Sequence, residues 1–489
     1  MTMSSPSAQL RSLRRSSPGP LDPTTVVSVI VGLPLVVLVG DAVTTGVDEA
    51  NVFAYAAIQA TALLVGALVA SRPVPFDLRT FKLGGIYVLG FELTMLIGTP
   101  SVFGEHARER SAAMFLASVC IAFVLTTAVL AFVPSTASAD WSGPGVSDRS
   151  VDKVARALAL VGLLVLGAYV VLAPVLPLVE VLSGARSSDL ALAREQALTR
   201  LSSPLLSYLF GAVRDIVLPA ASAVLLIQLL RNPGFVRFVR FSIVFLAAVF
   251  AAAVTTEKSP VGRLLLVLFL TVWIAHRNSL RWRSLLLVAV LFVGFPFAVT
   301  RLSNSPLNSN AAIASGIGER MLRVPPNVHY NYIAFVDEDL DQLLAGRTLP
   351  NIGKFATGPN VAITAEVQQR IFPNAEVQGN ANGSYISNFY ADFGMLGVVG
   401  GSIVTGVVIA ALDRLNRRHL PMALGIPLQA VTAVQLLFLT SNSLFDSILQ
   451  FPFGNIGVLA AMIAFVHLWL PLGRRVTVPR APHVPGVLS

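Results

Sequence analysis

The sequence predicts an all-α, polytopic integral membrane protein with about 12 transmembrane helices and one long extracytoplasmic loop. Three observations carry that expectation. Hydrophobic residues make up 54% of the chain and charged residues only 12%, about half the charged share of a soluble domain. Apolar runs of roughly 20 residues recur along the chain, each long enough to cross a hydrocarbon layer of about 30 Å. The runs are continuous, whereas the strands of a membrane barrel alternate over roughly ten residues.

In order, the spans fall near 24–40, 52–71, 83–103, 111–133, 156–181, 205–230, 236–254, 260–276, 284–301, 386–411, 422–441 and 453–471. The first follows a Ser/Pro-rich tail with Arg11, Arg14 and Arg15, which resembles a signal peptide. No small-residue cleavage site follows near Gly40, so it reads as an uncleaved span. Lys and Arg in the short turns set the orientation of the rest. SRPVPFDLRTFK, RNPGFVRFVR, HRNSLRWR, DRLNRRH and the GRRVTVPR tail alternate as cytoplasmic, opposite DAVTTGVDEAN and TTEKS. The expected organisation is a cytoplasmic tail (1–23), nine spans (24–301), an extracytoplasmic loop (302–384), three spans (385–471) and a cytoplasmic tail (472–489). These turns hold the basic excess behind the net charge of +9, so it does not point to nucleic acid. With Cys120 as the single cysteine, no intrachain disulfide is available.

The segment 302–384 is far longer than an ordinary connection between helices. It contains ERMLRVPPNVHYNYIAFVDEDLDQLLAGR, with aromatic and apolar residues at helical spacing after a Pro-Pro start, so a partly folded cap is expected. ARSSDLALAREQALTRLSS reads as a short surface helix. In VDEDLD, Asp337 to Asp341, a solvated helix face competes with a divalent-cation site, and the former is preferred.

Ionisable residues inside membrane spans are costly and mark functional candidates. Arg214 and Asp215 lie well inside span six, Arg263 about a turn inside span eight and Asp392 about two turns inside span ten, while Arg301 ends span nine and Glu92 is nearest mid-span. Apart from Glu92, the group gathers towards the extracytoplasmic side, and the inner half offers little comparable beyond His467. Neighbouring residues on an α-helix point about 100° apart, so Asp215 is expected to be a poor partner for Arg214. A basic pocket at lipid depth suits an anionic head on a lipid tail, because a guanidinium grips phosphate through two parallel donors.

The stretch QGNANGSYISNFYADFGMLG carries polar residues directly into an apolar run. Its Asn382, Gly383, Phe389, Tyr390, Phe393, Gly394 and Gly397 resemble the Wzy-type oligosaccharide repeat-unit polymerases of O-antigen and capsule synthesis. Arg323, Pro325, His329 and Tyr330 of MLRVPPNVHYNYIAF, and TEKSPVGRLLLVLFL opening at Lys258, resemble further parts of that family, and the likeness covers roughly residues 205 to 410. The related O-antigen ligases share the architecture.

The resemblance implies a glycosyltransferase C-like enzyme in a bacterial cytoplasmic membrane, using no nucleotide sugar and no cofactor. It would polymerise undecaprenyl-diphosphate-linked repeat units into a cell-surface polysaccharide. Implied partners are polyprenyl-diphosphate-linked glycans, membrane lipid, a repeat-unit flippase and a chain-length regulator. A ligase-like transferase and a polysaccharide or lipid transporter are the alternatives.

For such chemistry the diphosphate leaving group needs positive charge, expected from Arg214, Lys258, Arg263, Arg320 and Arg323. The acceptor hydroxyl needs a base, expected from His329 or Asp392. Sugar contacts are expected from Asn380, Asn382, Tyr385, Asn388 and Tyr390, against the alternative of an interfacial aromatic belt. Gly383, Gly394 and Gly397 are expected to serve turns and close packing rather than ligand contact. No metal site is expected.

Overall fold

The computed structural model describes residues 27–37, 49–77, 81–134, 148–183, 193, 197, 204–256, 258–275, 316, 318–319, 322–340, 342–348, 363–373, 381–437, 439 and 468. These residues form helices and connecting turns, with no strand among them. In chain order the helices are α1 (Val27–Val37), α2 (Glu49–Ser71), α3 (Leu83–Phe91), α4 (Thr99–His106), α5 (Arg110–Phe132), α6 (Asp148–Leu172) and α7 (Pro177–Leu182). There follow α8 (Pro204–Ala212), α9 (Leu218–Arg231), α10 (Phe235–Ala253), α11 (Lys258–Ala275), α12 (Val324–Ala334), α13 (Ile363–Ile371), α14 (Tyr385–His419) and α15 (Met422–Leu437). Wider π turns continue α3 at Glu92–Leu96, join α8 to α9 at Val213–Val217 and extend α12 at Phe335–Leu340.

Seven continuous helical stretches among the described residues are long and apolar enough to cross a membrane, and three shorter apolar helices accompany them. The chain is therefore a polytopic α-helical membrane protein. Ten of the twelve expected spans fall on described helices. The spans expected at 284–301 and 453–471 lie outside the described residues, apart from Leu468.

Helices in lipid gain little from the hydrophobic effect, so small residues let their backbones approach. α5 and α14 run side by side in the same direction: Thr126 donates to the Ser402 carbonyl (3.2 Å), and a Cβ on Gly406 would lie 2.8 Å from Val129. α14 begins at Ser384, whose hydroxyl accepts from the Ser387 amide as an N-cap. It bends at Gly394, where φ is +61° and a side chain would be strained. At Gly397 a Cβ would sit 2.1 Å from the Phe389 carbonyl oxygen, so the kinked chain can close only on glycine. Both glycines thus serve backbone geometry, as expected.

The junction of α4 and α5 and the start of α14 mark one end of the bundle, here called the loop end. Described parts of 302–384 pack there around Val328, Tyr332, Val336, Leu344, Ile363 and Val367, which gives the expected partly folded cap. The Tyr332 hydroxyl donates to the Ala381 carbonyl (3.0 Å) and accepts from the Gly383 amide (3.2 Å), tying this small core to the entry of α14. The short helix expected around 186–203 lies almost wholly outside the described residues.

Candidate functional site

The arginine cluster is built by the π turn between α8 and α9. Arg214 grips Asp215 with both Nε (3.0 Å to Oδ1) and Nη2 (3.2 Å to Oδ2). This corrects the expectation that adjacent residues are poor partners. The turn is wider than an α-helix, and the long Arg side chain reaches back to its neighbour. Arg263 of α11 adds Nη1 at 3.3 Å from the same carboxylate. Thr255 accepts from Arg214 Nη1 (3.2 Å), and Gln435 of α15 donates to the Asp215 carbonyl (3.1 Å). Two guanidinium groups thus share one carboxylate, with side chains 12% and 13% exposed. Lys258 starts α11, but its side chain lies outside the described residues, as do Arg301 and Arg320.

His329 of α12 is fully buried between two spans. Ser118 of α5 lies 2.7 Å from Nε2, and Ser387 of α14 lies 2.9 Å from Nδ1. The proton directions follow by counting donors. Ser118 gives its single hydroxyl proton to the Phe115 carbonyl (2.7 Å), so it must accept from Nε2–H. In the neutral ring Nδ1 then accepts from Ser387, whose oxygen is 2.9 Å from Ser384. Both ring nitrogens are engaged, and neither is open to an acceptor hydroxyl. His329, the expected general base, thus bridges the loop helix to α5 and α14.

Burial lowers His329 from its usual 6.5 to about 3. Between those values the unfolded chain holds a proton that the folded chain lacks. This contribution is complete above the unfolded value and is lost as pH falls towards the folded one, at about 1.4 kcal/mol per pH unit. Melting in detergent should therefore occur at lower temperature near pH 5 than near pH 7.5. His329→Asn should lower the midpoint at neutral pH and flatten that dependence; an equally steep dependence in the variant would contradict the assignment.

Asp392 is also engaged. Its carboxylate accepts from the amides of Gly346 (3.1 Å) and Thr348 (3.2 Å) and from the Thr348 hydroxyl. It pins the turn at 344–348, where Ala345 has φ +50°. The tyrosines are buried: Tyr385 meets the Tyr87 hydroxyl at 2.7 Å, and Tyr390 donates to Asp337 (2.8 Å). Asn388 is buried and donates to the Ser384 carbonyl (3.1 Å). Asn382 is exposed, and Asn380 lies outside the described residues. Arg323 pairs with Glu105 of α4 at the surface rather than with the arginine cluster. In the acidic run, Glu338 and Asp339 are exposed, as on the expected solvated face, and pair there with Arg370 (2.8 and 2.5 Å).

The site residues therefore separate into two groups. Arg214 and Arg263 lie among α8 to α11; His329, Asp392 and the tyrosines lie where α12 meets α5 and α14. α3 and α15 connect the groups. Gln435 reaches Asp215, Gly90 closes on Leu437 with a Cβ position 2.5 Å from Cδ2, and Tyr87 reaches Tyr385.

One feature escaped the sequence reading. At the opposite end, Lys82, Asp413 and Arg417 form a buried cluster (3.4 Å and 3.2 Å to Asp413), with Gln429 donating to Asp413 at 2.8 Å. Its charged residues lie in and beside turns that the sequence reading placed outside the spans, and His467, the residue expected to stand alone, lies outside the described residues. Asp413 and Arg417 at i,i+4 were the available signal, hidden in a motif that topology already explained. Glu92, the ionisable residue expected nearest mid-span, has a fully buried side chain with no hydrogen-bond partner on either carboxylate oxygen among the described residues.

Backbone geometry marks the same places. The three π turns among the described residues hold Glu92, Arg214 with Asp215, and Asp337 to Asp339; such turns are frequent at functional sites. The positive-φ non-glycine residues among the described residues are Phe81, Thr256 and Ala345. They sit beside Lys82, beside Thr255 of the arginine cluster, and in the turn held by Asp392. Each such conformation costs about 1–3 kcal/mol and persists where its surroundings over-determine it. Compared with family models, curated proteins and solved structures, the chain matches none.

Proposed function

We propose that this protein is a membrane glycosyltransferase that polymerises polyprenyl-diphosphate-linked oligosaccharide repeat units into a cell-surface polysaccharide. The observation that carries the reading is the arginine cluster. Arg214 and Arg263 bring two guanidinium groups to one carboxylate inside a bundle of apolar helices. Buried charge of that kind favours an anionic headgroup whose tail stays in lipid. The positive-inside arrangement of the short turns puts the cluster towards the extracytoplasmic side. Transfer would break the bond between the sugar and its diphosphate and form one to an acceptor hydroxyl. Arg214 and Arg263 would stabilise the departing diphosphate, while His329 and Asp392 hold the loop end in place.

Purified protein in detergent, given a lipid-linked repeat unit and no nucleotide sugar, should yield a ladder of products. A single transfer onto a different acceptor would favour a ligase. The transporter reading is favoured by Glu92, because unpaired carboxylates within spans mark ion and proton paths. It predicts no new bond in detergent and movement of the lipid-linked glycan across a sealed vesicle.

A further inference from the structure

The end of the bundle away from the loops holds a cavity of about 170 Å³ between α6, α9 and α10. Arg149, Arg231, Arg237 and Arg240 line it, against Asp148 and Asp152. Asp152 pairs with Arg240 (3.4 Å) and with Arg156 outside the cavity (3.0 Å). Among the described residues no ion pair involves Arg149, Arg231 or Arg237, and Arg237 donates to the Asn232 carbonyl (2.6 Å). The positive-inside rule accounts for arginines at this end of the spans but not for their convergence on one cavity.

The first turn of α10 supplies the second half of the observation. In FVRFVRF, Arg237 and Arg240 face the cavity, while Phe235, Val236 and Phe238 are 81%, 62% and 55% exposed. α10 is itself long and apolar enough to cross a membrane. The cavity therefore lies where an apolar helix long enough to span a membrane begins, with exposed aromatic and aliphatic side chains beside it. A soluble anion would use the guanidinium groups and leave that apolar face unused.

We infer that this cavity is a headgroup site for an anionic phospholipid, its phosphate among the arginines and its acyl chains along Phe235 and Phe238. Such a site is separate from the arginine cluster around Asp215. An occupied headgroup would tie α6, α9 and α10 together at this end.

The test is native mass spectrometry of the full chain, released from nanodiscs of a zwitterionic lipid doped with an anionic one. Wild-type protein should retain anionic lipid preferentially. Arg231→Gln/Arg237→Gln leaves the Asp152 pairs intact and should weaken that preference by roughly 30-fold, at about fivefold per basic residue at a membrane surface. Lys153→Gln/Arg418→Gln removes the same charge from the same end outside the cavity and should retain it. Absence of preference in the wild-type protein would overturn the inference without any variant having to fold. So would equal loss in both double variants, which means diffuse surface charge. Displacement of the lipid by millimolar inorganic phosphate would assign the cavity to a soluble anion instead.

Discussion

Asp215→Ala is expected to lower the amount of protein in the membrane severalfold and its melting temperature sharply. The carboxylate sits between Arg214 and Arg263, whose side chains are 12% and 13% exposed. Removing one partner of a buried ion cluster leaves uncompensated charge and costs about 3–5 kcal/mol, more than the net worth of the interaction. That is a large share of a stability of about 5–15 kcal/mol. The same argument predicts a rescue. Asp215→Ala with Arg263→Met removes one of the stranded charges and should recover part of the loss. Abundance and melting midpoint of the single and double variants measure both; a double variant worse than the single would refute the cluster's energetics.

Asp413→Ala should be comparably damaging at the opposite end. Asp413 accepts from Lys82, Arg417, Gln429 and the Leu83 amide. Lys82 and Arg417 have side chains only 2% exposed, so neither can turn to water. Losing the carboxylate removes the partner that two buried cations share, again at about 3–5 kcal/mol. The cluster also holds Phe81 at φ +58°, with Arg417 and Gln429 donating to its carbonyl at 2.7 and 3.0 Å. The start of α3 should therefore become open to protease in Asp413→Ala. A variant with wild-type abundance and midpoint would show that the pairing contributes nothing measurable.

Hydropathy made the spans legible because a bilayer imposes one requirement on every crossing segment. The expected span at 111–133 matches α5 at Arg110–Phe132 for that reason. The Pro-Pro start of α12 was legible because proline suits the first helical turn. Partnerships were not legible, since they depend on residues far apart in sequence. His329 finds Ser118 across 211 positions, and Leu83 finds Asp413 across 330. Arg214 and Asp215 failed for the opposite reason. They are adjacent, and the rule that separates adjacent side chains assumes an α-helix, which the π turn at Val213–Val217 is not. Arg214 and Arg263 were identified as one group by residue type and depth alone. Asp392 and His329 were identified as special by residue type, but the hydrogen bonds that anchor them were not legible.

The central claim is that the arginine cluster holds a lipid diphosphate, and ligand-induced stabilisation tests it most directly. A ligand that binds only the folded state at 100 times its dissociation constant raises stability by about 2.7 kcal/mol. A short-chain polyprenyl diphosphate should therefore raise the melting temperature of the wild-type protein, and the matching polyprenol should not. Arg263→Gln, which keeps the bidentate pairing of Arg214 with Asp215, should lose most of that shift while still folding. An equal shift in wild type and Arg263→Gln, or no shift in the wild-type protein at saturating ligand, would contradict the claim.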